Sequence, residues 1–192
     1  MALAEQLFLA EGFDAVSMDE LAERSGVSKP VIYDHFGSKE GLFRAILERH
    51  AAALSAAVTE AVAAARGPEE RFRAGGRAFF AWVAERGPAV TVVLDGVASA
   101  AGADPEARVL RREQVAQTSA ILAESLRQQG AFVDPTTEEW LASVAETLAG
   151  AYEALALWWQ REARHLGADE VNERFCRLIG PGLLAGLGSR AT

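Results

Sequence analysis

The side chains best suited to contact a charged partner are concentrated near the N-terminus. Lys39 opens a predicted helix, where the positive end of the helix dipole repels its ammonium group. A lysine at such a position, beside the free backbone N–H groups of a helix N-terminus, indicates that an external anion such as a phosphate binds there. The preceding predicted helix exposes a cation, a phenol and an imidazole. Its outward residues are Lys29, Pro30, Tyr33, Asp34 and His35.

The chain offers little for catalysis or for metal binding. It contains no nucleophile elbow, phosphate loop or paired His–Cys arrangement, so we do not predict an enzyme. No His or Cys stands three or four residues from His50 or His165, and we therefore expect neither a metal nor another cofactor. Cys176 is the only cysteine, which rules out an internal disulfide and favours a reducing, cytoplasmic location. We expect Cys176 to be a small buried residue.

Two short predicted helices joined by a tight turn hold the candidate contact residues. Ser17 and Glu20 form a capping box that begins the helix over 18–25. Gly26 supplies the positive φ that a sharp exit needs, and Ser28 caps the next helix almost at once. Helix, glycine turn and helix have the spacing of a helix-turn-helix. The small core between the helices is predicted to consist of Leu21, Val27 and Ile32.

Several short motifs follow one another over about residues 3–49. They are Gly12-Phe13, Ser17 to Arg24, Ser25-Gly26-Val27-Ser28, Tyr33-x-His35-Phe36 and Ser38-Lys39-Glu40-x-Leu42-Phe43. Together they closely resemble the DNA-binding domain of the TetR family of transcriptional regulators. The resemblance implies that phosphates are contacted by Ser17, Tyr33, His35 and Lys39. It also implies that base edges in the major groove are reached from the start of the recognition helix, by Ser28, Lys29, Pro30 and Val31.

The rest of the chain is also predicted to be helical, because no strand-like alternation persists and prolines precede most helical runs. The fold class is therefore all-α, with about nine helices, and Thr136-x-x-Glu139 is taken as the capping box of the eighth. The resemblance implies a helix-turn-helix domain over 1–49 and a ligand-binding and dimerisation domain over 50–192. The predicted helices are 1–11, 18–25, 29–36, 39–65, 69–86, 89–99, 106–129, 137–164 and 169–187. Residues 90–94 of the sixth would suit a strand equally well, and we predict a helix because a lone strand would have no partner.

The helix predicted over 137–164 has two faces that we interpret separately. A polar line is formed by Glu139, Glu146, Glu153 and Gln160, and a row of small residues beside it by Ala142, Ala149 and Ala156. We predict that the alanine row lies at or near a dimer seam together with the helix over 169–187. The resemblance implies a pocket for an effector, and aromatic side chains suit a flat or apolar ligand. Asp95 or Glu146, if turned inward, would suit a cationic ligand, and the sequence does not choose between the two. Its candidate lining residues are Phe79, Trp82, Leu94, Trp140, Tyr152 and Trp158.

The charge of the chain is acidic, with a formal net value of −8. Residues 1–49 hold nine acidic and five basic residues, and Met1 aligns near the middle of the family's usual first helix. We expect either a missing upstream segment or a short native arm. The most membrane-like stretch, 140–159, contains two glutamates, so no membrane partner is expected.

The leading functional prediction is a homodimeric repressor. It would leave a near-palindromic double-stranded DNA operator when a small hydrophobic or aromatic effector binds. The alternative is a ligand-binding or interaction protein whose DNA binding is weak or lost, and the acidic N-terminal region motivates it.

Overall fold

A computed structural model describes residues 1–87 and 105–189 of the chain, with Leu9 and residues 105–111 described by their backbone alone. The described residues form eight α-helices and no strand, which confirms the predicted all-α class. The helices are α1 (Ala2–Glu11), α2 (Met18–Ser25), α3 (Lys29–Phe36), α4 (Lys39–Ala64), α5 (Gly67–Arg86), α6 (Pro105–Arg127), α7 (Pro135–Glu162) and α8 (Ala168–Gly188).

The predicted helix boundaries agree with the observed ones to within two residues. The differences at the starts of α5, α6 and α7 share one cause, since the proline at each start belongs to the first helical turn instead of preceding it. Asp134 therefore caps α7, accepting a hydrogen bond from the Thr137 N–H at 2.7 Å. The predicted capping box from Thr136 to Glu139 is wrong for this reason. The helix predicted over 89–99, with Leu94, lies outside the described residues.

The helix-turn-helix is built as its sequence predicts. The Ser17 hydroxyl accepts a hydrogen bond from the Glu20 N–H at 3.1 Å and caps α2. Gly26 ends α2 in the left-handed region with φ 68° and ψ 11°, a conformation that favours glycine. Val27, which follows it, is 40% exposed and so does not join the core as predicted. Val27 lies in the turn between α2 and α3, and its side chain is on the outer side of that turn.

Two buried apolar clusters hold the described residues together. On α4 the boundary between them lies between two adjacent residues, Ile46 and Leu47. The N-terminal cluster unites α1 to α4 up to Ile46, and includes Phe8, Leu21 and Ile32. The larger cluster begins at Leu47 and is built around α5, α7 and α8. The single helix α4, 26 residues long, thus contributes to both clusters and connects them.

The second cluster requires a glycine where α5 crosses α8. A Cβ atom on Gly76 would lie 2.3 Å from Asn172 Oδ1 and 2.9 Å from the Tyr152 hydroxyl. Asn172 is buried and donates a hydrogen bond to the Arg73 carbonyl at 3.2 Å, so its side chain is held in place. Cys176 is buried beside it, as predicted, and burial raises the pKa of its thiol. Gly76 is therefore explained by a close helix crossing.

We expect Gly76→Ala to lower the free energy of unfolding by about 1 kcal/mol. Overpacking at this crossing costs about 1–3 kcal/mol, and better helix propensity returns roughly 1 kcal/mol. The measurement is thermal denaturation, with a fall in Tm of roughly 2–4 °C. Gly188→Ala is the matched control, because a Cβ there meets no atom within 4 Å. Equal Tm values for the two variants would contradict the crossing as the reason for Gly76.

Among the described helices, none has both the length and the apolar character that a membrane-spanning helix needs.

Candidate nucleic-acid interface and internal cavity

The short helix α3 is anchored by one residue and exposes most of the others. Ile32 is only 7% exposed and packs into the N-terminal cluster, whereas Val31 and Tyr33 on either side are 43% and 40% exposed. Ser28 occupies the N-cap position of α3 and makes no side-chain capping bond. Its hydroxyl and the outward side chains of α3 therefore form one accessible surface. Lys29, Pro30, Asp34 and His35 are exposed on the same helix.

Lys29 is charged but already has an internal partner. Its Nζ lies 2.7 Å from Asp19 Oδ1 on α2 and 5.9 Å from the centre of the Tyr33 ring. The hydrogen bond with Asp19 raises the pKa of Lys29, so the ammonium form is favoured. Both side chains of the ion pair are exposed, and such pairs contribute little to stability. The ammonium group can exchange this carboxylate for another anion at small cost.

Lys39 sits at the start of α4, close to the loop before α2. Its Nζ donates a hydrogen bond to the Asp14 carbonyl at 3.3 Å and lies 4.5 Å from the centre of the Phe13 ring. These two neutral contacts place the ammonium group without cancelling its charge. Ser17, in the same loop, uses its hydroxyl oxygen as an acceptor and can still donate its proton. Both groups could bind a phosphate oxygen.

The remaining cations of the N-terminal region are paired with carboxylates. Arg24 contacts Glu11 at 3.2 Å and Glu20 at 3.0 Å, and both hydrogen bonds raise its pKa. Arg44 pairs with Glu48, and Arg49 pairs with Glu5. Among the basic residues of this region, Lys39 is the one that forms no ion pair with a carboxylate within the described part of the chain. Its ammonium group is therefore available to an anion without the loss of an ion pair, whereas Lys29 must first leave Asp19.

A cavity of about 200 Å³ lies among α4, α5, α6, α7 and α8. Of the predicted lining residues, Phe79, Trp82 and Tyr152 line it. Trp140 packs instead against α8 at Gly186, and Trp158 is 42% exposed. The physical reason is helical periodicity: Trp140 and Trp158 are about five full turns apart and share a direction, which lies roughly 120° from that of Tyr152.

The inner face of α4 is the part of the cavity wall that the sequence reasoning did not identify. Leu47, Ala51, Leu54, Val58 and Val62 line the cavity at intervals of three and four residues. This spacing is the ordinary signal of a buried helix face and could have been recognised. Polar lining groups join α4 to α6 along the same wall. Ser55 donates to Gln117 Oε1 at 2.5 Å, and Gln117 Nε2 donates to Thr59 at 3.0 Å.

His50 connects the cavity wall to the N-terminal helices. Its Nε2 lies 2.7 Å from Glu5 Oε1 on α1, and its Nδ1 accepts a hydrogen bond from Arg86 Nε at 3.3 Å. Since Nδ1 is an acceptor, the ring proton sits on Nε2 and is donated to Glu5. The His50 ring also meets the edge of Trp82, with centres 6.0 Å apart. The Trp82 Nε1 is buried and finds no hydrogen-bond acceptor among the described residues.

The predicted alanine row does not lie on one surface. Ala142 is exposed, Ala149 lines the cavity, and Ala156 has no exposed surface and belongs to the large apolar cluster. The polar line turns inward in the same way, from exposed Glu139 to buried Gln160. A straight helix drifts by about 20° per heptad, so positions seven apart do not keep one neighbour over 21 residues.

The exposed faces of α7 and α8 carry small and apolar residues elsewhere. On α7 these are Ser143, Thr147, Ala154 and Trp158, and on α8 they are Leu178, Pro181, Gly182 and Ala185. Leu178 is 79% exposed and is the largest apolar side chain among the four on α8. We call these eight residues the α7/α8 face.

The N-terminal region is similar in sequence to a family of known proteins. Residues 1–46 match the sequence model of a family described as bacterial regulatory proteins, tetR family. The chain is 42% identical over 80 residues to the HTH-type transcriptional activator FasR of Mycolicibacterium smegmatis. It is 45% identical over 47 residues to the HTH-type transcriptional repressor ComR of Escherichia coli. These alignments cover 42% and 24% of this chain, and only 36% and 22% of the two relatives.

Comparison of structures extends to almost the whole chain. The TetR family transcriptional regulator PfmR of Thermus thermophilus superposes with a TM-score of 0.66 at 28% identity. The superposition covers 92% of this chain and 93% of PfmR. In the part of the chain that the structure describes, no group of three or more His, Cys, Asp or Glu side chains could hold a metal ion.

Proposed function

We propose that this chain is a DNA-binding transcriptional regulator of the TetR family that acts as a homodimer. The match of residues 1–46 to the tetR family and the superposition on PfmR support the proposal. One observation carries the proposal. The helix α3 follows a left-handed glycine turn and presents Lys29, Val31 and Tyr33 outward from a buried Ile32 anchor. A helix held in this way fits the major groove and reads base edges from its N-terminal turn.

The proposed roles within the interface follow from side-chain chemistry. Ser28, Lys29, Pro30 and Val31 read base edges, since an ammonium group donates to guanine and an apolar side chain meets a thymine methyl. Phosphates are contacted by Ser17, Tyr33, His35 and Lys39, whose hydroxyl, imidazole and ammonium groups donate hydrogen bonds. The second group positions the protein without reading sequence.

The proposed dimer places two copies of α3 on one face of DNA. Two successive major grooves are about 34–36 Å apart, so the operator is a near-palindrome with that spacing between half-sites. The α7/α8 face supports a dimer, because a twofold interface needs an exposed and self-complementary patch. We therefore assign the seam to this face. Of the alanines proposed from the sequence, only Ala142 is exposed enough to join it.

The proposed mode of action is repression relieved by a small effector. An apolar or partly aromatic molecule in the cavity favours a conformation of α4 in which the two α3 helices no longer match the operator. The effector can shift DNA binding only by its differential affinity for the two conformations. Repression is the simpler mode because occupancy of the operator is sufficient for it. DNA as the partner implies a cytoplasmic location.

An alternative function is a ligand-binding protein with weak or lost DNA binding, and two observations favour it. The N-terminal region is acidic, with nine acidic residues against five basic ones. Lys29, the main candidate for reading bases, is paired with Asp19 in the free protein. In this alternative, the ion pair between Lys29 and Asp19 persists, because the surface of α3 no longer binds DNA.

Selection from a random pool of double-stranded DNA, carried out at two salt concentrations, separates the two functions. The proposed regulator enriches an inverted repeat, and its affinity falls steeply with salt because bound cations release counterions from the phosphates. Enrichment of a single half-site would contradict the dimer. No enrichment at either salt concentration would reject DNA-dependent regulation and favour the alternative.

A further inference from the structure

The cavity lining extends along α4, and its two ends differ in chemistry. Its lining follows α4 from Leu47 to Val62, a distance of about 22 Å along the helix. The neighbouring α5 runs in the opposite direction, since Gly75 approaches Val62 while Arg86 contacts His50. One end of the cavity is therefore formed by the start of α5 and the other by His50 and Trp82.

The wall between the two ends is mainly apolar. Side chains of five helices contribute to it, including Leu54, Phe79, Leu122, Leu148 and Leu183. Glu153 also lines the cavity, and this carboxylate already has an interaction partner. A ligand that fills this space buries an extended hydrocarbon or aromatic surface, which stabilises its binding by about 25 cal/mol per Å².

Arg71 brings a positive charge to the end at the start of α5. It lines the cavity and is partly buried. Its only hydrogen bond among the described residues runs from Nε to the Ala65 carbonyl, at 3.4 Å. No carboxylate within the described residues pairs with it, so both terminal nitrogens of the guanidinium group remain available.

The three other arginines of the same helix show the contrast. Arg73 contacts Glu173 at 2.7 Å and Glu69 at 3.3 Å, Arg77 lies 3.7 Å from Asp169, and Arg86 lies 3.5 Å from Glu85. None of these three arginines lines the cavity. Arg71 is thus the cation of α5 that faces the cavity and has no counter-charge in the described part. The planar fork of a guanidinium group fits a carboxylate with two parallel hydrogen bonds.

We propose that the cavity binds an elongated amphiphile with one anionic head group. The head group is held by Arg71, and the apolar tail lies along α4 towards His50 and Trp82. The inference rests on the proposed function only in taking this cavity as the effector site. A carboxylate is the head group that the fork of Arg71 matches in shape and charge, while a cationic head group would meet repulsion there.

Direct binding of three matched compounds to the full chain tests this inference. Dodecanoate, dodecan-1-ol and dodecylamine share one tail and differ in head-group charge. They are titrated by calorimetry below their aggregation concentrations, without DNA. We expect one dodecanoate per chain, bound at least tenfold more tightly than the alcohol, with the amine weakest. Equal affinity for the three compounds, or tighter binding of the amine, would overturn the proposal.

Substitution of the arginine locates the head group. Arg71→Gln is expected to reduce dodecanoate affinity to that of the alcohol, while alcohol binding stays unchanged. Arg71→Lys keeps the charge without the fork and gives an intermediate affinity, and it serves if the glutamine variant folds poorly. Arg77→Gln is the matched control, since it removes the same charge from an exposed position on α5. Unchanged carboxylate preference in both Arg71 variants would place the head group elsewhere and reject the assignment.

A DNA-binding assay with the same compounds separates this inference from the proposed function. Binding of dodecanoate without any effect on a selected operator would uphold the ligand class and reject effector control through the cavity. Operator binding in a protein that binds none of the three compounds would uphold DNA recognition and reject the ligand class.

Discussion

Combining Lys29→Gln with Tyr33→Ala is expected to weaken operator binding by at least about 100-fold. Each substitution removes a donor proposed to bond a base edge or a phosphate, and a hydrogen bond to a charged group contributes about 1.5 kcal/mol or more. Two such losses amount to about 3 kcal/mol for each protomer, and a tenfold change corresponds to about 1.4 kcal/mol. The fold should survive, because both side chains are exposed and the Ile32 anchor is untouched. Fluorescence anisotropy with a selected operator measures the effect.

The control for this prediction is Arg24→Gln. It changes the charge of the domain by the same amount as Lys29→Gln, but Arg24 is already held by Glu11 and Glu20. We expect it to alter operator affinity by less than about threefold, the scale of a screened surface charge. The double variant should also show a shallower dependence of affinity on salt. If Arg24→Gln weakened binding as much as the double variant, net charge and not α3 would govern affinity.

The second large effect is expected from Leu178→Arg, which should convert the dimer into a monomer. Leu178 is 79% exposed in the isolated chain and belongs to the proposed α7/α8 face. Burying a leucine stabilises an interface by about 1.5–3 kcal/mol, and a twofold interface contains the residue twice. An arginine there loses this contribution and adds two unpaired charges. Sedimentation equilibrium at micromolar concentration gives the mass directly.

Loss of the dimer should also reduce operator affinity strongly. Two linked α3 helices bind as one unit, and a single one loses the gain from effective concentration. Phe132→Arg is the control, because Phe132 is 86% exposed but belongs to the loop between α6 and α7. A dimer that persists in Leu178→Arg would remove the α7/α8 face as the seam, and a monomer in Phe132→Arg would shift it to the loop.

Local sequence signals were sufficient for the N-terminal region. The Ser17 cap, the Gly26 turn and the burial of Leu21 and Ile32 were all predicted and are observed. Each of these depends on neighbours within a few residues, so the residue types themselves carry the information. Val27 is the exception, since apolar character alone does not say on which side of a turn a side chain lies. The roles of the exposed residues in DNA contact stay predictions.

Residues far apart in sequence decided the rest. Which of the tryptophans face the cavity depends on how α7 meets α5 and α8, and only Trp82 among the predicted ones does so. Ala156 was expected at a surface and lies in the core, because the helices crossing α7 cover that part of it. Arg71 can be recognised as a cavity residue only in the folded chain, where α4, α5 and α6 enclose the space beside it.

The amino-acid sequence was thus enough for the class of fold, the helix limits and the helix-turn-helix, since caps, prolines and helical periodicity act over one or two turns. The cavity, its positively charged end, the link from Glu5 through His50 to Arg86 and the exposed α7/α8 face were decided by tertiary packing. These features join residues that lie far apart along the chain. Such contacts depend on the angles and offsets between packed helices. Many residues together determine these angles and offsets, so they cannot be predicted from the type of any single residue.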